Sequence, residues 1–253
     1  MSEYFSEKRN LRKYAYFSAY VLIYILLFEF VVPAGRILPK PSLILESVSS
    51  LQIHYGFFMN ALYTVSGIYL PMVLAYLVIW LLRVQLTGAA LKAGDFLDSL
   101  RLFKYFTVIS FITIYIYWFP VSNLSEILFT FLISLIFLLN VLSHGVHTVN
   151  RAYIEPFLPL KAEDSFIYKN IYWKSLKPAI FNSFQRLNIY LWTIVIFFEF
   201  VKGYMGIGNI YRLALSFKDL SGLAAVSVLL AVIIAAGGYI IKLLNRKVIT
   251  WET

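Results

Sequence analysis

The chain has no cysteine, which excludes disulfides, thiolate metal sites and cysteine nucleophiles. Charge is scarce as well, since only 14% of the 253 residues are Asp, Glu, Lys or Arg. A phosphate-binding GxxxxGK[ST] loop is absent, so ATP is not bound by that route. Hydrocarbon fills the space: 60% of residues are hydrophobic and mean hydropathy is +0.76. A soluble domain of this size needs far less apolar surface, so the expected class is an all-α polytopic membrane protein. The net charge of +9 does not point to nucleic acid, because the basic residues are dispersed over loops between apolar runs.

Six runs have the character of spans. The first, 14–32, carries one charge, Glu29, and at 1.5 Å per residue reaches about 28 Å, against a hydrocarbon core of about 30 Å. Small residues follow it at Pro33-Ala34-Gly35, as after a signal peptide, but its length and Glu29 fit an uncleaved span better. Pro33, Pro39 and Pro41 then open a loop, and Ser42 is a candidate N-cap for a short interfacial helix over 43–51. The second span is 57–82, with a kink expected at Pro71. A polar stretch over 83–102 precedes the third, 103–121; a tight turn over 122–126 leads to the fourth, 127–143. The fifth is 179–201, polar in its first half, and the sixth is 220–244, with small residues at Ala235, Ala236, Gly237 and Gly238.

Orientation follows from the basic residues. One side collects Lys8, Arg9, Arg12 and Lys13, then Arg83, Lys92, Arg101 and Lys104, the cations from Arg151 to Arg186, and the C-terminal Lys242, Arg246 and Lys247. The other holds only Arg36, Lys40, Lys202, Arg212 and Lys218, so both termini and the segment 146–178 are expected in the cytoplasm of a plasma-membrane protein.

Candidate chemistry is thin. Glu29 and Glu199 are carboxylates within spans, where such groups face other helices or a water path, although both lie near the outer ends and interfacial solvation explains them as well. Asn182, Gln185 and Asn188 recur every third residue and share a face of about 120°. That face suits a translocation path, while helix packing also accounts for it. His144 and His147 have the spacing of a metal pair but no carboxylate or thiol near them in sequence, so they are read as surface histidines and no metal site is expected. Gly203 to Gly208, GYMGIG, has the look of a dinucleotide loop without a βαβ unit around it, and is read as a flexible turn.

The longest polar stretch, 150–178, is basic and aromatic. Its Lys161, Tyr168, Lys169, Tyr172, Trp173, Lys174 and Lys177 suit an interfacial helix on anionic lipid, and a short helix within it also suits docking to a soluble partner. Around it the phrase NVLSHGVHTVNRAYIEPFLPLKA resembles the approach to the coupling loop in permease subunits of ABC importers of the nitrate, sulfonate and taurine type. Glu155 falls on that motif's Glu and Leu160 on the Leu before its Gly; Pro156 and Phe157 replace its two alanines, Lys161 its Gly, and Pro178 comes about four residues late. Leu38-Pro39-Lys40-Pro41-Ser42 is similar to the family's LPSPS, and FPVSNLSEI over 119–127 to its FGIGELSKI turn. Glu199 with Gly206-Ile207-Gly208-Asn209-Ile210 resembles a late Glu followed by GLG, and Arg246-Lys247 with Trp251 the usual ending.

The resemblance implies a six-span permease bundle that is not itself an enzyme. ATP and Mg would bind a separate ATP-binding subunit docked on Glu155, Pro156, Phe157, Leu158, Leu160, Lys161 and Ala162. A second permease copy or a related chain would complete the path, and an external solute-binding protein would deliver the solute. The path candidates are Asn182, Gln185, Asn188, Glu199 and Glu29. Two other classes compete: a membrane anchor that only recruits a cytoplasmic partner, and a secondary transporter. The latter is weakened because no inverted repeat or pair of broken helices is visible.

Overall fold

The computed structural model describes residues 15–16, 18–31, 39–92, 108–120, 122–150, 153, 155–157 and 163–248. Among these the structure is helical, without a strand. The helices are α1 (Ser18–Val31), ending in a π-turn, α2 (Pro41–Tyr55), α3 (Phe57–Leu81), α4 (Arg83–Lys92) and α5 (Val108–Trp118). They continue with α6 (Asn123–Thr148), a 3₁₀ turn (Glu155–Phe157), α7 (Asp164–Lys202), α8 (Ile207–Ser216) and α9 (Leu220–Val248). Four of them, α3, α6, α7 and α9, are long and apolar enough to cross a membrane, while α1 and α5 are shorter apolar helices. The expected first and third spans, 14–32 and 103–121, lie partly outside the described residues. Many large side chains on the outward faces are apolar, among them Leu62, Leu70, Leu132, Ile136, Ile189 and Val232, as a hydrocarbon solvent requires.

The chain forms two compact units, one of residues 1–58 and 210–230, the other of 59–209 and 231–253. In the first, three helix starts are satisfied by side chains: Glu29 at α2, Gln52 at α3 and Asp219 at α9. Pro41 starts α2 because its missing N–H would be unpaired there anyway, but Lys40 before it supplies no capping oxygen. Glu29 supplies one instead, accepting from the Ser42 backbone N–H at 3.2 Å and from its hydroxyl at 2.9 Å. Gly56, in the left-handed region at φ 58°, ends α2, and the Gln52 side chain accepts from the Phe58 N–H at 2.9 Å at the start of α3. Asp219 caps α9, accepting the Gly222 N–H at 2.8 Å and the Ser221 hydroxyl at 3.0 Å on Oδ1, and the Tyr55 hydroxyl at 3.0 Å on Oδ2.

In the second unit α7 is the spine. Its buried stripe runs Ile167, Ile171, Leu176, Ile180, Phe184, Leu187, Leu191, Val195 and Phe198, in steps of three or four except between Ile171 and Leu176. That longer step falls where the π-turn Tyr168–Tyr172 hands over to Trp173; the wider turn absorbs one extra residue and keeps the stripe on one side. α6 lies along α7, close enough at Gly145 that a side chain there would meet Leu176. α4 packs on the π-turn, with Gly88 against the Tyr168 ring, and Ile112, Phe129 and Phe198 join α5, α6 and α7 in one cluster.

Three expectations change. The fifth helix does not start after Pro178 but at Asp164, and Pro178 sits buried inside it. The segment 164–178 is polar on one side only, and burial of the other side outweighs the one backbone bond that proline removes. The polar stretch over 83–102 begins with a helix, α4, whose Thr87 and Ala90 are buried. The turn over 122–126 is already helix from Asn123, because the Ser122 hydroxyl accepts from the Ser125 N–H at 3.1 Å.

Candidate functional site

Within the second unit, α3, α6 and α7 bring together the polar side chains of one end. On α3, Asn60, Tyr63, Thr64 and Gly67 share a face by their spacing. On α6, Glu126 lies one turn inside the Ser122 cap, and α7 ends with Glu199 and Lys202 before Gly203, left-handed at φ 66°. Lys202 Nζ lies 3.0 Å from Glu126 Oε2 with both side chains sealed from solvent. It also donates to Tyr63 Oη at 2.9 Å and to the Ser122 carbonyl at 3.3 Å, so all three of its protons have an acceptor. The rings of Tyr63, Tyr204 and Phe198 stand 5.2, 5.5 and 6.0 Å from the ammonium. Tyr63 Oη is in turn 3.0 Å from Glu126 Oε2 and 3.1 Å from Asn123 Oδ1. Glu126 Oε1 is buried against Gly67 and has no hydrogen-bond partner among the described residues.

Glu199 is fully buried and acts on the loop after it. Three successive backbone N–H groups at the start of α8 each find a side-chain oxygen: Gly206 donates to Asn60 Oδ1 at 2.7 Å, Ile207 to Thr64 Oγ1 at 2.9 Å and Gly208 to Glu199 Oε2 at 2.8 Å. Thr64 Oγ1 lies 2.7 Å from Glu199 Oε1, linking two of these acceptors. A helix start has unsatisfied N–H groups and positive potential, and this site meets both with a carboxylate and two neutral oxygens. Gly206 stands at φ 101° with the carboxylate directly beneath it, so a side chain there would be strained and would strike Glu199. Chemically the arrangement is a clasp: it holds the segment 203–208 on the ends of α3 and α7.

The path candidates have different local surroundings. Glu199 is in the clasp, Glu29 caps α2, and Asn188 is buried with its Oδ1 accepting from Tyr69 Oη at 3.0 Å. Asn182 and Gln185 stay exposed, together with Arg186, on the side of α7 opposite its buried stripe. Of the docking candidates, Glu155 and Pro156 are exposed in the 3₁₀ turn that includes Phe157, whereas Leu158, Leu160, Lys161 and Ala162 lie outside the described residues. No group of three His, Asp or Glu side chains that could hold a metal occurs among the described residues.

Sequence reasoning missed Glu126, Lys202, Tyr63 and Thr64. The available signal was that Glu126 and Lys202 are single opposite charges bounding apolar runs, but nothing in their spacing tells that those two ends meet. No protein-family model, curated protein or solved structure matches the chain.

Proposed function

We propose that the chain is the membrane-spanning permease subunit of an ATP-driven importer of the nitrate, sulfonate and taurine type. The observation that carries this reading is the exposed polar face of α7. About 20 residues cross a bilayer, so counting back from Lys202 puts Gln185 within the hydrocarbon and Asn182 at its inner edge. Side chains of this kind in a span require a partner helix or a water-filled path. A second permease chain facing Asn182 and Gln185 provides both, and a solute passes between the two copies.

ATP is bound and hydrolysed on a separate cytoplasmic subunit that docks on the segment 155–162. Because this segment leads into α7 without a flexible break after Asp164, displacement at the docking end moves the whole helix. The clasp then carries the segment 203–208 with the far end of α7. An external binding protein delivers the solute on that side, and the plasma membrane holds the complex with both termini inside.

Mild-detergent purification of the tagged chain from its host, with mass spectrometry of its companions, tests the proposal. A P-loop ATPase is expected, and replacing 155–162 with a Gly/Ser linker of equal length abolishes its recovery. Recovery of a different membrane complex without any ATPase overturns the permease reading in favour of an anchor.

A further inference from the structure

A cavity of about 1020 Å³ opens in the second unit at the Arg83 end of α3, lined by the cations Arg83, Lys169, Lys174 and Lys177 and by no Asp or Glu among the described residues. Such a concentration of one sign in a concave surface selects an anion. The Arg83 guanidinium lies over the Trp80 ring at 5.1 Å and donates to the Trp80 carbonyl at 2.7 Å, so it is held in place rather than trailing into solvent. Trp80 and Trp173 in the lining are the residues that favour the headgroup level of a bilayer.

A second, apolar cavity of about 160 Å³ adjoins it, with Tyr76 in the walls of both. The two are ordered the same way along both helices. On α3 the apolar cavity uses Met72 and Val73 and the cationic one Trp80, with Arg83 just past the helix end; on α7 the apolar one uses Phe184 and Phe181 and the cationic one Lys177 to Lys169. The apolar space is thus toward the middle of the spans and the charged space toward their ends. A soluble anion has no use for the inner space, whereas an amphiphile with an anionic head fills both.

We propose that these two neighbouring cavities, which share Tyr76, are a binding site for the phosphate headgroup and upper acyl chain of an anionic phospholipid. The site rests on the chain's membrane-length helices and not on the permease reading. It fixes one lipid among α3, α7 and α9, where Ile241, Leu244 and Asn245 of α9 complete the apolar cavity.

The test is native mass spectrometry of the whole chain released from nanodiscs containing phosphatidylglycerol and phosphatidylcholine in equal amounts. The wild type is expected to retain one phosphatidylglycerol. In K169Q/K174Q/K177Q retention falls roughly a hundredfold, the product of about fivefold per lysine. K40Q/R212Q/K218Q, which removes three charges that line neither cavity, retains lipid like the wild type. Thermal unfolding in phosphatidylcholine alone reports folding of both variants, and addition of phosphatidylglycerol raises the midpoint only where the site is intact. Equal retention by the two triple variants overturns the proposal, as does stabilisation by inorganic phosphate to the same extent as by lipid. Undiminished wild-type binding of an ATPase with complete loss of the retained lipid also overturns it, by showing that the cavity receives protein.

Discussion

Lys202 and Glu126 illustrate how few charged side chains this chain places inside and how completely it pairs them. Removing one member leaves the other buried and uncompensated, at a cost of about 3–5 kcal/mol. Lys202→Met is therefore expected to lower the thermal midpoint in detergent sharply, and Glu126→Gln combined with Lys202→Met to recover much of the loss, since the pair is coupled. Equal midpoints for the single and double variants contradict that coupling. Asp219 gives a prediction in pH. Partial burial by itself raises its carboxyl, but the Gly222 N–H, the Ser221 and Tyr55 hydroxyls and the His54 charge together hold it below its ordinary value. A carboxylate lowered on folding stabilises above its ordinary value, and this contribution is lost as the pH falls below about 4 toward the folded value. The wild type should show this acid loss in a series of melts, and Asp219→Asn should show less of it.

The elements meet through close backbone approaches that a single methyl group can test. A side chain at Gly208 would strike the backbone of α7 at Ile196 and Phe200, so Gly208→Ala is expected to lift the start of α8 from the clasp. Limited proteolysis should then cut within 203–208, where the wild type resists. Gly238→Ala on α9 is the control, because its nearest neighbour is the Asn188 amide at 4.0 Å and alanine favours helix by up to about 1 kcal/mol. Cleavage in both variants, or in neither, contradicts the clasp. The elements also show how far sequence could be read. Apolar length marks α3 and α9 nearly to their ends, whereas of α7 it marks only 179–201. The first half of α7 is amphipathic around a π-turn, and a one-residue shift in the stripe hides a helix from a fixed period.

At the scale of the molecule, the absence of cysteine makes orientation directly measurable. Single cysteines replacing exposed Met205 and exposed Lys174 are expected to react with a membrane-impermeant maleimide from opposite sides: position 205 in intact cells, position 174 only after permeabilisation. The same side for both contradicts the topology drawn from the basic residues. Position 174 also lines the proposed lipid site, so protection from labelling by phosphatidylglycerol in permeabilised membranes would join the two measurements.

The sequence by itself determined the class of the protein, the helical nature of its long apolar runs and the concentration of cations near 169–177, because these depend on composition and on contacts within a few residues. The resemblance to importer permeases also came from the sequence, and remains a proposal. Only the tertiary structure decided what the polar groups inside or beside the spans do. Glu29 and Glu199 serve helix starts distant in sequence or across a turn, and Lys202 finds Glu126 on a helix that begins 79 residues earlier, at Asn123. Such pairings are fixed by which helix ends come together, and hydropathy carries no record of that.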